Sequence, residues 1–238
     1  MHWYTGLPII RYLETIKIDP KKGHELLLPI QLINRPNPKF RGFCGLIASG
    51  TIKKNDKIYV LPSMTKSSVS QIFVGDKSVD EAITNQNVTL TFNDQVSVSR
   101  GDLIVKDKDH VFIEDQFDAN IIWLSKDDGY IGREYILKLS SQTTLVYITS
   151  IKHKLDIENN KKLAAKKISV NNIYKLIIKS KTPIWFKKFL HNKTLGSFLL
   201  VDTNSNETIA AGTINHNLTR SSNLIVQNFT INKELRRL

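Results

Sequence analysis

The sequence predicts an all-β chain of two consecutive domains, each a sandwich or a small barrel, preceded by a short N-terminal helical segment. Three observations carry this. From Leu26 onward, apolar and β-branched residues come in short runs, and none extends to a helical pattern of about ten residues. Turn residues punctuate the runs at regular intervals, as in sandwiches and small barrels. The 238 residues suit one large domain or two small ones, and a charged stretch, Lys106–Asp115 (KDKDHVFIED), offers a boundary near the middle.

The elements follow in order. Leu7–Ile18 reads as a helix, with Ile9, Ile10, Leu13 and Ile16 at spacings of three and four. Pro8 suits an early helical position, and Asp19-Pro20 ends the run. A lone short helix in front of strands cannot bury its own apolar face, so this segment reads as the tail of something upstream or as a linker packed on a neighbour. In the first half, strands are expected at Leu28–Asn34, Gly42–Gly50, Lys57–Leu61, Ser68–Val74, Asn87–Phe92 and Leu103–Lys106. In Asn87–Phe92, Val88, Leu90 and Phe92 face one way and Thr89 and Thr91 the other, the pattern of a half-buried strand. Lys53-Lys54-Asn55-Asp56 reads as a hairpin turn, because Asn55 tolerates the left-handed backbone such turns need.

In the second half, strands are expected at Phe117–Leu124, Glu134–Leu139, Thr143–Leu155, Ile173–Lys179, Leu195–Val201 and Thr208–Ile214. Asp202–Glu207 (DTNSNE) reads as a hairpin loop and Lys161–Lys167 as one helical turn. The domain expectation is a linker over 1–19, β domains over 20–110 and 111–220, and a tail over 221–238.

Charge and chemistry narrow the function. The formal net charge is +12. Residues 150–193 hold twelve lysines against Asp156 and Glu158, +10 of that total. Such a block suits a polyanion or an acidic protein face, or is a solvated strand surface. The single cysteine, Cys44, reads as a small buried apolar residue. Trp185-Phe186 reads as core. No apolar run is long enough for a spanning helix, and the start, MHWYTGLPII, lacks the form of a signal peptide. A cytoplasmic location, without membrane contact, is the expectation.

The phosphate-loop pattern fails. Gly45 and Gly50 have the right spacing, but Thr51 and Ile52 stand where Lys and Ser/Thr are needed. Asn34-Arg35-Pro36-Asn37 lacks the acidic residue that reads guanine. No nucleophile triad or zinc-protease signature occurs. No catalytic, cofactor-binding or metal-ligating residue is therefore expected, and the chain alone is expected to be inactive.

Several stretches carry a family resemblance. Asn34 through Gly50, then Asp56 through Ser63, resemble the second domain of the GTPase subunit of bacterial sulfate adenylyltransferase, in the translational GTPase superfamily. Trp3-Tyr4-Thr5-Gly6 with Leu13-Glu14 is similar to the segment joining that subunit's GTP-binding domain to its first barrel. Further similar stretches are Gln86–Phe92, Ser99–Asp102, Phe117–Leu124, Gly132-Arg133 with Tyr135, Ile151–His153, Leu163–Lys166, Asn171–Ile173, Gly196–Asp202 and Ala211-Gly212. Asn55 and Met64 stand where the pattern has turn glycines, and Cys44 where it has a small alanine. Ser221–Lys233 is similar to a segment of forms fused to an adenylyl-sulfate kinase.

The resemblance implies barrels of the elongation-factor domain 2 and domain 3 type, acting as a rigid lever and docking platform. It implies that the chain is part of a longer protein whose GTP-binding domain carries GTP and magnesium. Its implied partners are that domain, a small catalytic subunit that makes adenylyl sulfate from ATP and sulfate, and the fused kinase. Arg35, Arg41, Arg133 and His153 lie in the similar stretches and are candidate partner contacts. The alternative is an elongation-factor-like RNA-binding module. It would use the lysine block, but the block shows few of the aromatics that single-strand binders interleave.

Overall fold

The computed structural model describes residues 3–16, 25–38, 40–107 and 111–218. One helix, α1 (Ile9–Thr15), comes first, and no residue from Trp3 to Ile16 is buried. Among the described residues its apolar stripe does not find the cover that an amphipathic helix requires. Residues 17–18, the end of the expected helix, lie outside the described residues with the Asp19-Pro20 stop, as do the whole expected tail and part of the expected boundary.

The first sheet system contains β1 (Leu27–Pro29), β2 (Leu32–Asn34), β3 (Gly42–Leu46), β4 (Thr51–Lys53), β5 (Lys57–Leu61), β6 (Thr65–Val74), β7 (Lys77–Val79), β8 (Glu81–Ile83), β9 (Asn87–Phe92) and β10 (Leu103–Val105). Its main sheet runs β1-β10-β5-β6-β9-β3-β2, with β7 on β6, and β4 pairs with β8. It curls into a half-barrel around Leu28, Ile30, Ile47, Val60, Ile72 and Leu90. The expected strand Leu28–Asn34 is two strands. The chain changes neighbours in between, as Ile30 N donates to Asp102 O and Gln31 N to Cys44 O.

The second system contains β11 (Phe112–Trp123), β12 (Glu134–Leu139), β13 (Gln142–Asp156), β14 (Lys161–Leu163), β15 (Ile173–Phe186), a single helical turn α2 (Lys193–Gly196), β16 (Ser197–Asp202) and β17 (Thr208–Asn217). The order β12-β16-β17-β11-β15-β13 closes through β12–β13 pairing, giving a barrel without open edges. Its apolar core includes Phe117, Trp123, Tyr135, Tyr174 and Phe198. Each such side chain stabilises the fold by about 1.5–3 kcal/mol through area removed from water.

Three further local expectations are corrected. Lys161–Lys167 is not a helical turn: Lys161–Leu163 forms β14 and pairs with Lys154–Asp156. The partner strand supplies hydrogen bonds that outweigh a weak local helix preference. Leu195 belongs to α2, whose first amide groups are capped by Asn192 Oδ1 accepting from Leu195 N at 2.9 Å. Cys44 is half-buried rather than buried, with Sγ 3.3 Å from Thr89 Oγ1.

The turn at Asn55 forms as expected, with φ 66° and Lys53 N donating to Asp56 Oδ2 at 2.6 Å. Met64 also has positive φ, 60°. Both positions where the family pattern has glycine therefore adopt the backbone that favours glycine.

The two systems share a seam. Leu27, Leu61, Leu103 and Val105 of the first join the apolar cluster of the second. Trp185 is buried, and its Nε1 donates to Gly101 O at 2.7 Å. Gln142 brackets Trp185 from its own barrel, donating from Nε2 to the Trp185 carbonyl at 2.8 Å and accepting from its amide at 3.2 Å. Lys187 pairs with Glu25 across the same seam.

Candidate functional site

The sequence-predicted polar residues fall in three places. Arg35 and Arg41 are brought together on the first barrel. They line an open cleft of about 780 Å³ with Phe40, Phe43, Gln71 and Asn93. Arg41 lies over the Phe43 ring, 5.1 Å from its centroid. Its Nη1 and Nη2 donate to Val96 O at 3.0 Å and Val98 O at 3.2 Å. Burial, and then the nearby Arg35 charge, lower the Arg41 pKa. Arg41 thus ties the 96–98 segment to the strand entry, while exposed Arg35 is the cleft's outward cation.

Arg133 lines a different, smaller pocket, of about 110 Å³, with Asp127, Tyr135, Asp202 and Glu207. Its Nη2 donates to Asp202 Oδ1 at 2.7 Å. The other oxygen of Asp202 accepts from Asn204 N and Ser205 N, each at 3.1 Å. Asp202 therefore organises the hairpin loop. The Ser205 amide first, with Asn204 and Arg133, outweighs burial and holds its carboxyl below the ordinary range.

His153 sits on the basic face of the second barrel, beside a group the sequence reading missed. Asp118 is fully buried on β11. Two β-bulges deliver its partners. The β13–β15 register shifts between Ile151 and His153, leaving Lys152 as the extra residue. The β11–β17 register shifts at Asp118/Ala119, leaving Asn215 extra. Both extra side chains turn to Asp118: Lys152 Nζ donates to Oδ2 at 2.7 Å, and Asn215 Nδ2 to Oδ1 at 2.8 Å. Bulges commonly re-aim a side chain in this way.

Lys175 Nζ stands 3.4 Å from Oδ1 and His216 Nε2 3.8 Å from Oδ2. Burial alone would raise the Asp118 pKa. The Lys152 and Asn215 hydrogen bonds and the Lys175 charge outweigh it and lower the value. The His153 pKa is lowered too, first by lost hydration and then by Lys162, Lys175 and Lys152, against Asp118. The only sequence signal for Asp118 was a carboxylate set between the apolar residues Phe117 and Ala119 of an expected strand.

The glycine pair that mimics a phosphate loop does other work. A Cβ at Gly45 would lie 2.2 Å from Pro29 O, so glycine there permits close approach of two strands. The segment lies on β3 and β4, without the following helix a phosphate cradle requires. Among the described residues no group of His, Cys, Asp and Glu could hold a metal ion, and no helix is long and apolar enough to cross a membrane.

Comparison with known proteins adds a family context. Residues 116–215 match the family model described as GTP-eEF1A C-terminal domain-like. Sulfate adenylyltransferase subunit 1 of Shewanella woodyi is 34% identical over 214 residues, covering 90% of this chain and 46% of that protein. The protein of the same name from Aliarcobacter butzleri is 38% identical over 213 residues, covering 89% and 45%. The bifunctional enzyme CysN/CysC of Xylella fastidiosa is 35% identical over 225 residues, covering 94% and 36%. The chain thus spans less than half the length of these relatives. Among solved structures, sup35 complexed with GDP superposes with a TM-score of 0.78 at 23% identity, covering 92% of this chain and 54% of that one. That likeness concerns the fold.

Proposed function

The chain is homologous to sulfate adenylyltransferase subunit 1 and to its bifunctional counterparts, and on that premise we propose that it is the non-catalytic two-barrel part of a sulfate-activating GTPase subunit. In this reading a GTP-binding domain holds GTP and magnesium. A small catalytic subunit joins ATP and sulfate into adenylyl sulfate and pyrophosphate. That step is uphill, and GTP hydrolysis drives it. The barrels carry the nucleotide state from one to the other, in the cytoplasm. In fused forms an adenylyl-sulfate kinase domain follows.

The observation that carries the reading is identity of 34–38% running through both barrels in their order. The seam supports the mechanical part. A lever transmits displacement only if its two halves keep their relative position, and the Trp185–Gly101 bond with the Lys187–Glu25 pair holds them at two points. The bare expectation for neighbouring domains would be relative motion.

A chimera tests it. The matching barrels of the Shewanella woodyi relative are replaced by residues 25–218, and GTP-stimulated pyrophosphate release is measured with the small subunit. The expected result is retained stimulation. A chimera that folds and hydrolyses GTP without stimulating pyrophosphate release would refute the reading.

A further inference from the structure

The outer surface of the second barrel carries a row that the core does not use. Strand register places Leu199 opposite Ala211, Ala211 opposite Ile122, Ile122 opposite Ile173, and Ile173 opposite Leu155. Directly paired residues point to the same side of a sheet. Their sequence neighbours Phe198, Ala210, Ile121 and Tyr174 are buried in the barrel, so this row faces outward. Ile122 is 40% and Leu199 42% exposed. The surface is concave here, an open cleft of about 790 Å³ over Ile122, Ile173, Leu199 and Ala211.

Cations border the row. Lys138 pairs in register with Leu199 at one end, and Lys162 with Leu155 at the other. The adjacent row runs Ser197, Thr213, Asn120, Lys175 and His153. The carboxylate behind it, Asp118, is buried and already held by Lys152 and Lys175. Among the described residues, Lys138 and Lys162 have no ion-pair partner.

We propose that this face docks a protein segment with aliphatic anchors flanked by carboxylates. The proposal rests on the docking-platform reading above and names the surface and the chemistry it recognises. An aliphatic floor removes about 25 cal/mol per Å² of apolar partner surface from water. Phosphates would gain nothing from that floor, and no exposed aromatic side chain lies in the row for bases to stack on. The lysine border supplies orientation and salt dependence.

The test uses the full chain, isotope-labelled, with two synthetic probes: a peptide alternating leucine and glutamate, and one alternating leucine and lysine. The leucine–glutamate peptide should shift the amides of 119–123, 197–200 and 210–213, while the leucine–lysine peptide leaves them in place. Ile122→Ser and Lys138→Glu should each weaken binding about tenfold, or about 1.4 kcal/mol. Both sites are on the barrel surface, and an unchanged melting temperature certifies the fold. Equal binding of the two peptides, or none, overturns the proposal. So does displacement of the peptide from these amides by a single-stranded RNA oligonucleotide, which would make this a nucleic-acid face. Loss of coupling in the chimera with peptide binding intact would instead remove the GTPase reading and leave the docking face.

Discussion

The indole of Trp185 and the carbonyl of Gly101, 84 residues apart, meet at 2.7 Å and join the two barrels. Gly101 has φ 97°, a backbone conformation that presents its carbonyl here and that a larger residue rarely adopts. Trp185→Phe keeps much of the apolar contact and leaves the buried carbonyl without its donor. We expect a loss of about 1–3 kcal/mol in urea unfolding. Residual dipolar couplings should also show the barrels reorienting independently. A variant whose barrels stay aligned would limit the bond to stability.

Lys187 and Glu25 form the second link, and the lysine is the more buried partner. Glu25→Gln leaves that ammonium without its counter-charge, whereas Lys187→Met fills the same space without a charge. We expect Glu25→Gln to cost about 1–3 kcal/mol and Lys187→Met to cost less. The comparison is read from two thermal melts. The opposite order would show that the pair contributes net attraction beyond its desolvation cost.

Asp118 sets an acid limit on the second barrel. Its pKa is lowered in the folded chain. Its contribution is therefore fully present above the unfolded aspartate value, about 3.9, and is lost as pH falls through the folded value. Asp118→Asn should flatten the pH dependence of the urea midpoint in that acid window. Near neutral pH it should cost about 1–3 kcal/mol, since the buried hydrogen bonds are disturbed. Parallel curves for both proteins would assign the acid sensitivity to other carboxylates.

Met64 holds a left-handed backbone, with φ 60°, at an exposed turn. Glycine accepts that conformation without the clash between Cβ and carbonyl. Met64→Gly should stabilise the chain by about 1 kcal/mol, less the entropy glycine loses on folding. The check is the urea midpoint. A lower midpoint would show that the methionine side chain contributes packing that offsets its strain.

Much of the architecture was legible in the residues. Alternation in Asn87–Phe92 and Glu134–Leu139 reproduced strand bounds, because the period-two pattern is local and one face must be buried. Asn55 announced its turn for the same reason: a left-handed backbone selects its residue. Lys161–Leu163 misled, because its strand state depends on a partner strand and its own side chains are exposed.

Of the candidate contacts, Arg41 and Arg133 were legible as polar residues in similar stretches. Their anchoring of the 96–98 segment and the 202–207 loop was not. The sequence by itself determined the all-β class, the run of turns, the basic second half and the family resemblance. Only the tertiary structure decided that Asp118 is buried beneath two bulge residues, that Leu199 through Leu155 form one row, and that the barrels share a seam. Those outcomes depend on register between strands far apart in the chain. Residues that meet by register leave no local periodicity, so nothing in either segment alone encodes the pairing.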